Sequence, residues 1–122
     1  MLELRHGRTL LVIGWVLIAI IVAGSLTPAG IDVKFLLSDK VRHLSSYLVL
    51  MVYFSGLYPR ERHPLLALAF FLLGAMLEVL QGALTSTRQM DFIDLTANTL
   101  GIVLGFVFAR LGLAQWPRLI DR

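Results

Sequence analysis

The chain has 122 residues, 57% of them hydrophobic and 16% charged, with a mean hydropathy of +0.80. Those proportions exclude an ordinary soluble domain of this size and point to a membrane. The net charge of +3 comes from basic residues dispersed among apolar segments without an aromatic-basic groove pattern, which argues against nucleic acid. The absence of cysteine excludes disulfides, thiolate catalysis and cysteine-ligated metals.

A bilayer core of about 30 Å needs roughly 20 apolar residues in helical form, and four segments satisfy that length. The first predicted helix runs from about Thr9 to Leu26, within an uncharged stretch that ends at Asp32, and Thr27 and Pro28 close it. Its length argues against a cleaved signal peptide. The second, residues 38–58, opens with "SDKVRH" under a Ser38 cap, turns apolar through "YLVLMVYFSGLY", and stops before Pro59. The third, 64–84, starts with Pro64 at a permitted first-turn position and carries one acid, Glu78, near its far end. The fourth covers 94–113. No repeat or long linker interrupts them. The expected fold is all-α: a single domain over residues 1–122, folded as a membrane-embedded bundle of four transmembrane helices.

Orientation follows from the distribution of Lys and Arg in the short loops. With a cytoplasmic N-terminus, Arg5, Arg8, Arg60, Arg62, Arg110, Arg118 and Arg122 fall inside, against Lys34, Lys40, Arg42 and Arg88 outside. The C-terminus is then also cytoplasmic. Arg60, Glu61, Arg62 and His63 form a turn whose charges read as topology signal and lipid-headgroup contact.

This topology gathers the polar residues at one face. Asp39, Lys40, Arg42, His43 and Tyr47 open the second helix, Glu78 and Gln81 come late in the third, and Arg88, Asp91, Asp94 and Asn98 lead into the fourth. Helical spacing puts Asp39, His43 and Tyr47 on one stripe, Glu78 and Gln81 on another, and Asp94, Asn98 and Gly101 on a third. Glu78 lies about 9 Å inside the end of its helix, where an ionised carboxylate must face the bundle interior and have a partner. Arg88, Lys40 and His43 are the natural counterions. In "MDFIDLTANTLGIVLG", Asp94 is expected to act as helix cap and site residue together, Asn98 as an interior hydrogen-bonding group, and Gly101 and Gly105 as a close-packing seam, with Gly74 in a similar packing role. That seam serves equally within the bundle or between protomers of a homo-oligomer. Trp15, Tyr53, Tyr58 and Trp116 read as interfacial anchors or packing.

"DKVRHLSSYLVL", "EVLQ" and "RQMDFIDLTANTLGIVLG" together resemble the VanZ-like family of small bacterial membrane proteins. The pattern is Asp-Lys with His three residues on and Tyr four after that, Glu and Gln separated by two residues, then Arg followed by Asp, Asp and Asn-x-x-Gly. The likeness covers Asp39 to Gly105, with Leu44 in place of the usual Phe and "GALTST" lacking the Pro-Gly often found before the Arg. It implies a multi-pass protein of the bacterial plasma membrane. It also implies a link to low-level resistance to a glycopeptide of the teicoplanin type, known for the founding member, and a joint role for Asp39, Lys40, His43, Tyr47, Glu78, Gln81, Arg88, Asp91, Asp94 and Asn98. It supplies no reaction.

Three function classes follow. The bundle is a binding module whose outward polar pocket holds an anionic envelope ligand, such as a lipid-linked phosphate headgroup, through Arg88 and Lys40. Alternatively it is a small intramembrane enzyme acting on a lipid-linked phosphate, with His43, Asp39 and Glu78 as acid and base. In the third class it is a structural assembly partner of a larger complex. The sequence offers neither a convincing nucleophile nor a two-histidine metal motif; Asp91, Asp94, Glu78 and His43 have the chemistry to bind a divalent ion, but hard-metal sites are poorly encoded in sequence, so no cofactor or metal is expected and catalysis stays open.

Overall fold

The computed structural model describes residues 2–26, 33–84 and 92–120, with the side chains of residues 26, 33–39 and 84 outside that description. Every regular element among the described residues is helical. α1 spans Gly7–Leu26, α2 Val33–Ser55, α3 His63–Leu84 and α4 Phe92–Arg110, and short 3-10 turns cover Arg60–Arg62 and Leu113–Leu119. Three stretches, Gly7–Ser25, Arg60–Ala83 and Phe92–Arg110, are long and apolar enough to cross a membrane. α2 has 23 residues but carries Lys34, Asp39, Lys40 and Arg42, so composition does not mark it as a span.

Contacts fix the directions of the helices. α2 and α4 share the most extensive interface, and they run parallel: Lys40 meets Asp94, Leu44 meets Gly101, and Leu48 and Met51 meet Gly105. A Cβ on Gly101 would fall 2.2 Å from the Leu44 carbonyl oxygen, and one on Gly105 would fall 2.7 Å from Met51 Cβ. These two glycines therefore set how closely the helices approach. At the C-terminal ends of α1 and α3, Gln81 Nε2 donates to Ser25 O at 2.6 Å, so these two also run parallel.

The core contains Leu10, Tyr47, Leu50, Met51, Phe54, Leu57, Phe70 and Ile102, four of them from α2 and Leu57 from the turn just after it. Large apolar side chains on α1, α3 and α4, among them Trp15, Ile20, Leu68, Leu72, Met76 and Val103, stay exposed. The polar helix is thus packed among apolar ones whose outer faces are greasy, the reverse of a soluble protein and the arrangement a lipid solvent favours.

α2 covers 33–55 rather than the expected 38–58, and its early end has a local cause. Trp116 lies directly over Gly56, where a Cβ would sit 2.3 Å from Trp116 Nε1. The indole N–H donates to Val52 O and Tyr53 O, each at 3.2 Å, and satisfies carbonyls that a longer helix would have used. Its ring stacks on Tyr53 with centroids 4.8 Å apart. Gly112, at φ 129°, makes the reversal that brings Trp116 back after α4 ends at Arg110. Leu2 N donates to Leu57 O at 2.8 Å, so the described N-terminal residues lie at this same end of the bundle.

Candidate functional site

The other end, where α2 and α4 begin and α3 finishes, holds a buried polar cluster. Residues three and four apart on α2 share a face, which aims Lys40, His43 and Tyr47 towards α4 and α3. α4 contributes Asp94 and Asn98 on its own inward stripe, and α3 contributes Glu78. His43 is 7% exposed, Tyr47 1%, Glu78 3%, Asp94 5% and Asn98 2%.

Lys40 Nζ donates to Asp94 Oδ1 in an ion pair between α2 and α4. His43 Nδ1 lies 2.7 Å from Asn98 Oδ1. An amide oxygen only accepts, so Nδ1 carries the proton and donates. The opposite ring nitrogen, Nε2, lies 3.8 Å from Asp94 Oδ2. His43, Glu78 and Asp94 each bring one nitrogen or oxygen atom into a group whose members are all within 4.8 Å of one another.

Glycines let the cluster close. The tight contact of Gly101 with Leu44 brings α4 near enough for Asn98 to reach His43. On α3, a Cβ at Gly74 would stand 3.0 Å from Asn98 Nδ2 and 3.4 Å from Tyr47 Oη, so the absent side chain leaves room for both polar groups.

Of the remaining predicted pocket residues, Gln81 alone has a described side chain. Gln81 is buried and turned to the Ser25 carbonyl of α1. Asp39 is on α2 with its side chain outside the described residues, and Arg88 and Asp91 are likewise outside them. Asp94 is not the helix cap: α4 is helical from Phe92, which puts Asp94 inside the first turn. In the first turn its carboxylate still gains from the helix dipole.

A cavity of about 200 Å³ opens beside the cluster, between α1 and α2, with Ile20, Ser25, Arg42, His43, Ser46 and Tyr47 among its walls. His43 and Tyr47 belong to both cluster and cavity. Ser46 was not expected here. The available signal is its spacing, since Ser46 follows Arg42 by one helical turn on the stripe next to His43 and Tyr47. Ser45 Oγ bonds back to Val41 O at 2.7 Å on its own helix.

A second cavity, of about 380 Å³, lies at the far end, with Ser55, Arg60, His63, Arg110 and Arg118 among its lining residues. By sequence His63 belongs to the charged turn, yet the residue is 4% exposed and its Nε2–H is shared between Ser55 O at 2.8 Å and Tyr58 O at 3.2 Å. It clamps the turn after α2 rather than facing headgroups. The two bond partners three residues apart lie in sequence just ahead of Pro59, but no spacing rule singles out such a clamp.

In comparisons with known proteins, the chain matches no family model, and no curated protein or solved structure shows significant similarity to it.

Proposed function

We propose that this chain is a VanZ-like membrane protein of the bacterial plasma membrane. In this reading four helices cross the bilayer with both termini in the cytosol, and the outer end binds an anionic headgroup of an envelope lipid or lipid-linked phosphate. The observation that carries the reading is the convergence of Lys40, His43, Tyr47, Glu78, Asp94 and Asn98 at one end of an apolar bundle, beside a cavity walled by Arg42 and Ser46. Buried ionisable groups are costly in a membrane and are kept for binding, transport or chemistry. Arg42 offers a planar fork suited to phosphate and Ser46 a hydroxyl donor, while Gly24 and the apolar wall of α1 leave room for the start of an acyl chain.

The fourth crossing is supported by the parallel course of α2 along α4. The two are in register from Lys40 and Asp94 at one end to the Trp116 contact with Val52 and Gly56 at the other. A helix packed lengthwise on a spanning neighbour occupies the same depth.

The test is binding by the purified protein in nanodiscs, read by native mass spectrometry with phosphatidylglycerol and a polyprenyl phosphate against phosphatidylcholine. Retention of the anionic lipids, weakened about tenfold by Arg42→Ala as befits a charge-assisted contact, is expected. Equal retention of all three lipids, or indifference to Arg42→Ala, overturns the reading. In cells, expression should raise tolerance to teicoplanin, and Arg88→Ala should reduce that effect.

A further inference from the structure

The headgroup reading rests on the polar convergence as a whole and takes its phosphate contacts from Arg42 and Ser46, which gives no separate task to the imidazole and two carboxylates that three helices bury against one another. We infer that His43, Glu78 and Asp94 form a binding site for a divalent transition-metal ion, with Asn98 as its positioning residue.

Geometry supplies the first ground. Donors that share one ion at about 2.0–2.2 Å stand roughly 3–4 Å apart. His43 Nε2 and Asp94 Oδ2 are 3.8 Å apart, and the complete trio lies within 4.8 Å. The widest of these separations exceeds the spacing of donors on one ion by only about 1 Å.

The second ground is the orientation of the imidazole. A metal-ligating histidine characteristically donates its other N–H to a carbonyl or carboxylate, which fixes the tautomer and leaves a lone pair for the ion. His43 does this through Nδ1–H to Asn98 Oδ1 at 2.7 Å, and Nε2 is the nitrogen turned to Asp94. Asp94 divides its oxygens in the same sense. Oδ1 takes the Lys40 ammonium, while Oδ2 is the one facing His43. Lys40 thus acts as an outer cation that holds the carboxylate in place without occupying the oxygen turned inwards.

Donor chemistry narrows the ion. Magnesium and calcium favour all-oxygen shells, whereas one imidazole with two carboxylates suits zinc, manganese or ferrous iron. Three protein ligands leave a coordination position for water or an anion oxygen, and His43 borders the cavity from which either would arrive. The inference stands on the ligand set and does not require the headgroup reading.

The experiment uses the full chain in detergent, stripped with chelator and free of added lipid. Zinc is titrated by calorimetry with elemental analysis, followed by cobalt, whose visible ligand-field bands report nitrogen and oxygen coordination. One zinc per chain is expected. Glu78→Gln and Asp94→Asn should weaken it at least as much as Asn98→Ala, for which a loss of about 10–100-fold is expected of a residue acting through its ligand. His6→Ala, at an exposed histidine near the N-terminus, should leave binding unchanged. Absence of stoichiometric zinc on folded wild type overturns the inference, as does zinc binding that survives the Glu78 and Asp94 substitutions intact. Where a ligand variant fails to fold, a shift of the cobalt bands in Asn98→Ala decides, and unshifted bands count against the site. Lipid binding without metal, or metal without lipid, separates this inference from the proposed function.

Discussion

Lys40 and Asp94, 54 positions apart in sequence, form an ion pair that locks the beginning of α2 to the beginning of α4. The carboxylate side chain is 7% exposed and the lysine side chain 28%, so the pair is largely withdrawn from solvent. Removing one partner of a buried pair leaves the other charge uncompensated at a cost of about 3–5 kcal/mol, while replacing both by apolar groups is often close to neutral. Lys40→Met is therefore expected to lower unfolding stability by about 3 kcal/mol. The double substitution Lys40→Met with Asp94→Leu should recover most of that loss, giving strong non-additivity in denaturant titrations of the detergent-solubilised protein. Additive losses would show that the two charges act separately.

The contact of Gly101 with Leu44 makes a sharper prediction about close approach. A methyl group there would be 2.2 Å from a backbone oxygen, which cannot rotate aside, so α2 and α4 must separate along their whole interface. Gly101→Ala should cost about 1–3 kcal/mol or more, the range for overpacking a filled interior. Gly24 provides the contrast, since nothing lies within 4 Å of a Cβ placed on it. Gly24→Ala should be neutral or stabilising by about 0.5–1 kcal/mol through helix propensity. Thermal unfolding of the two variants, side by side, measures the difference; equal effects would mean that the tight seam is not what holds α4 against α2.

Much of this architecture is legible in the residues. Length and apolarity mark α1, α3 and α4, because a lipid solvent imposes both at once, and positions three or four apart suffice to place His43 with Tyr47 and Asp94 with Asn98 on common faces. Which faces then meet is a tertiary matter. Lys40 was one of three counterions open to Glu78, and it pairs with Asp94 because the Gly101 seam sets the register of α4 on α2. Helix ends are the least legible. Asp94 looks like a cap by residue type, but the helix starts two residues earlier, and α2 stops at Ser55 because Trp116 arrives from beyond α4 to cover Gly56. The cavity beside α1 was equally hidden, since it depends on where Ser25 and Ile20 fall against α2.

Gln81 shares a stripe with Glu78 yet performs a separate task. Its amide N–H to the Ser25 carbonyl joins α3 to the last turn of α1, where backbone oxygens have no helical partner. Gln81→Leu keeps the bulk but removes the donor, and the loss expected for a neutral hydrogen bond is about 0.5–1.5 kcal/mol. The loss should be local. Hydrogen exchange ought to rise at the C-terminal turn of α1 while the α2–α4 interface keeps its protection. A uniform rise across all four helices would instead assign Gln81 to the common core.

The membrane course of α2 decides the orientation of everything else, and single cysteines read it directly. With four crossings and a cytosolic N-terminus, a cysteine replacing Glu61, after α2, faces the cytosol, and one replacing Arg88, after α3, faces outward. If α2 did not cross, α3 would enter from the outside and both positions would exchange sides. Among the described residues α2 is the one long helix whose composition does not mark it as spanning, but the face of its polar half that carries His43 and Tyr47 is sheltered. His43 and Tyr47 are buried, while α4 runs parallel beside it with Leu100, Val103 and Val107 exposed. Burial against an apolar neighbour removes the main cost of placing such a helix in lipid, because its polar groups are satisfied within the protein. An impermeant maleimide added to intact cells should therefore modify the cysteine at position 88 and reach the one at position 61 only after permeabilisation. The reverse pattern would mean that α2 does not cross or that the whole bundle is inverted, and in either case would place the polar cluster on the cytosolic side.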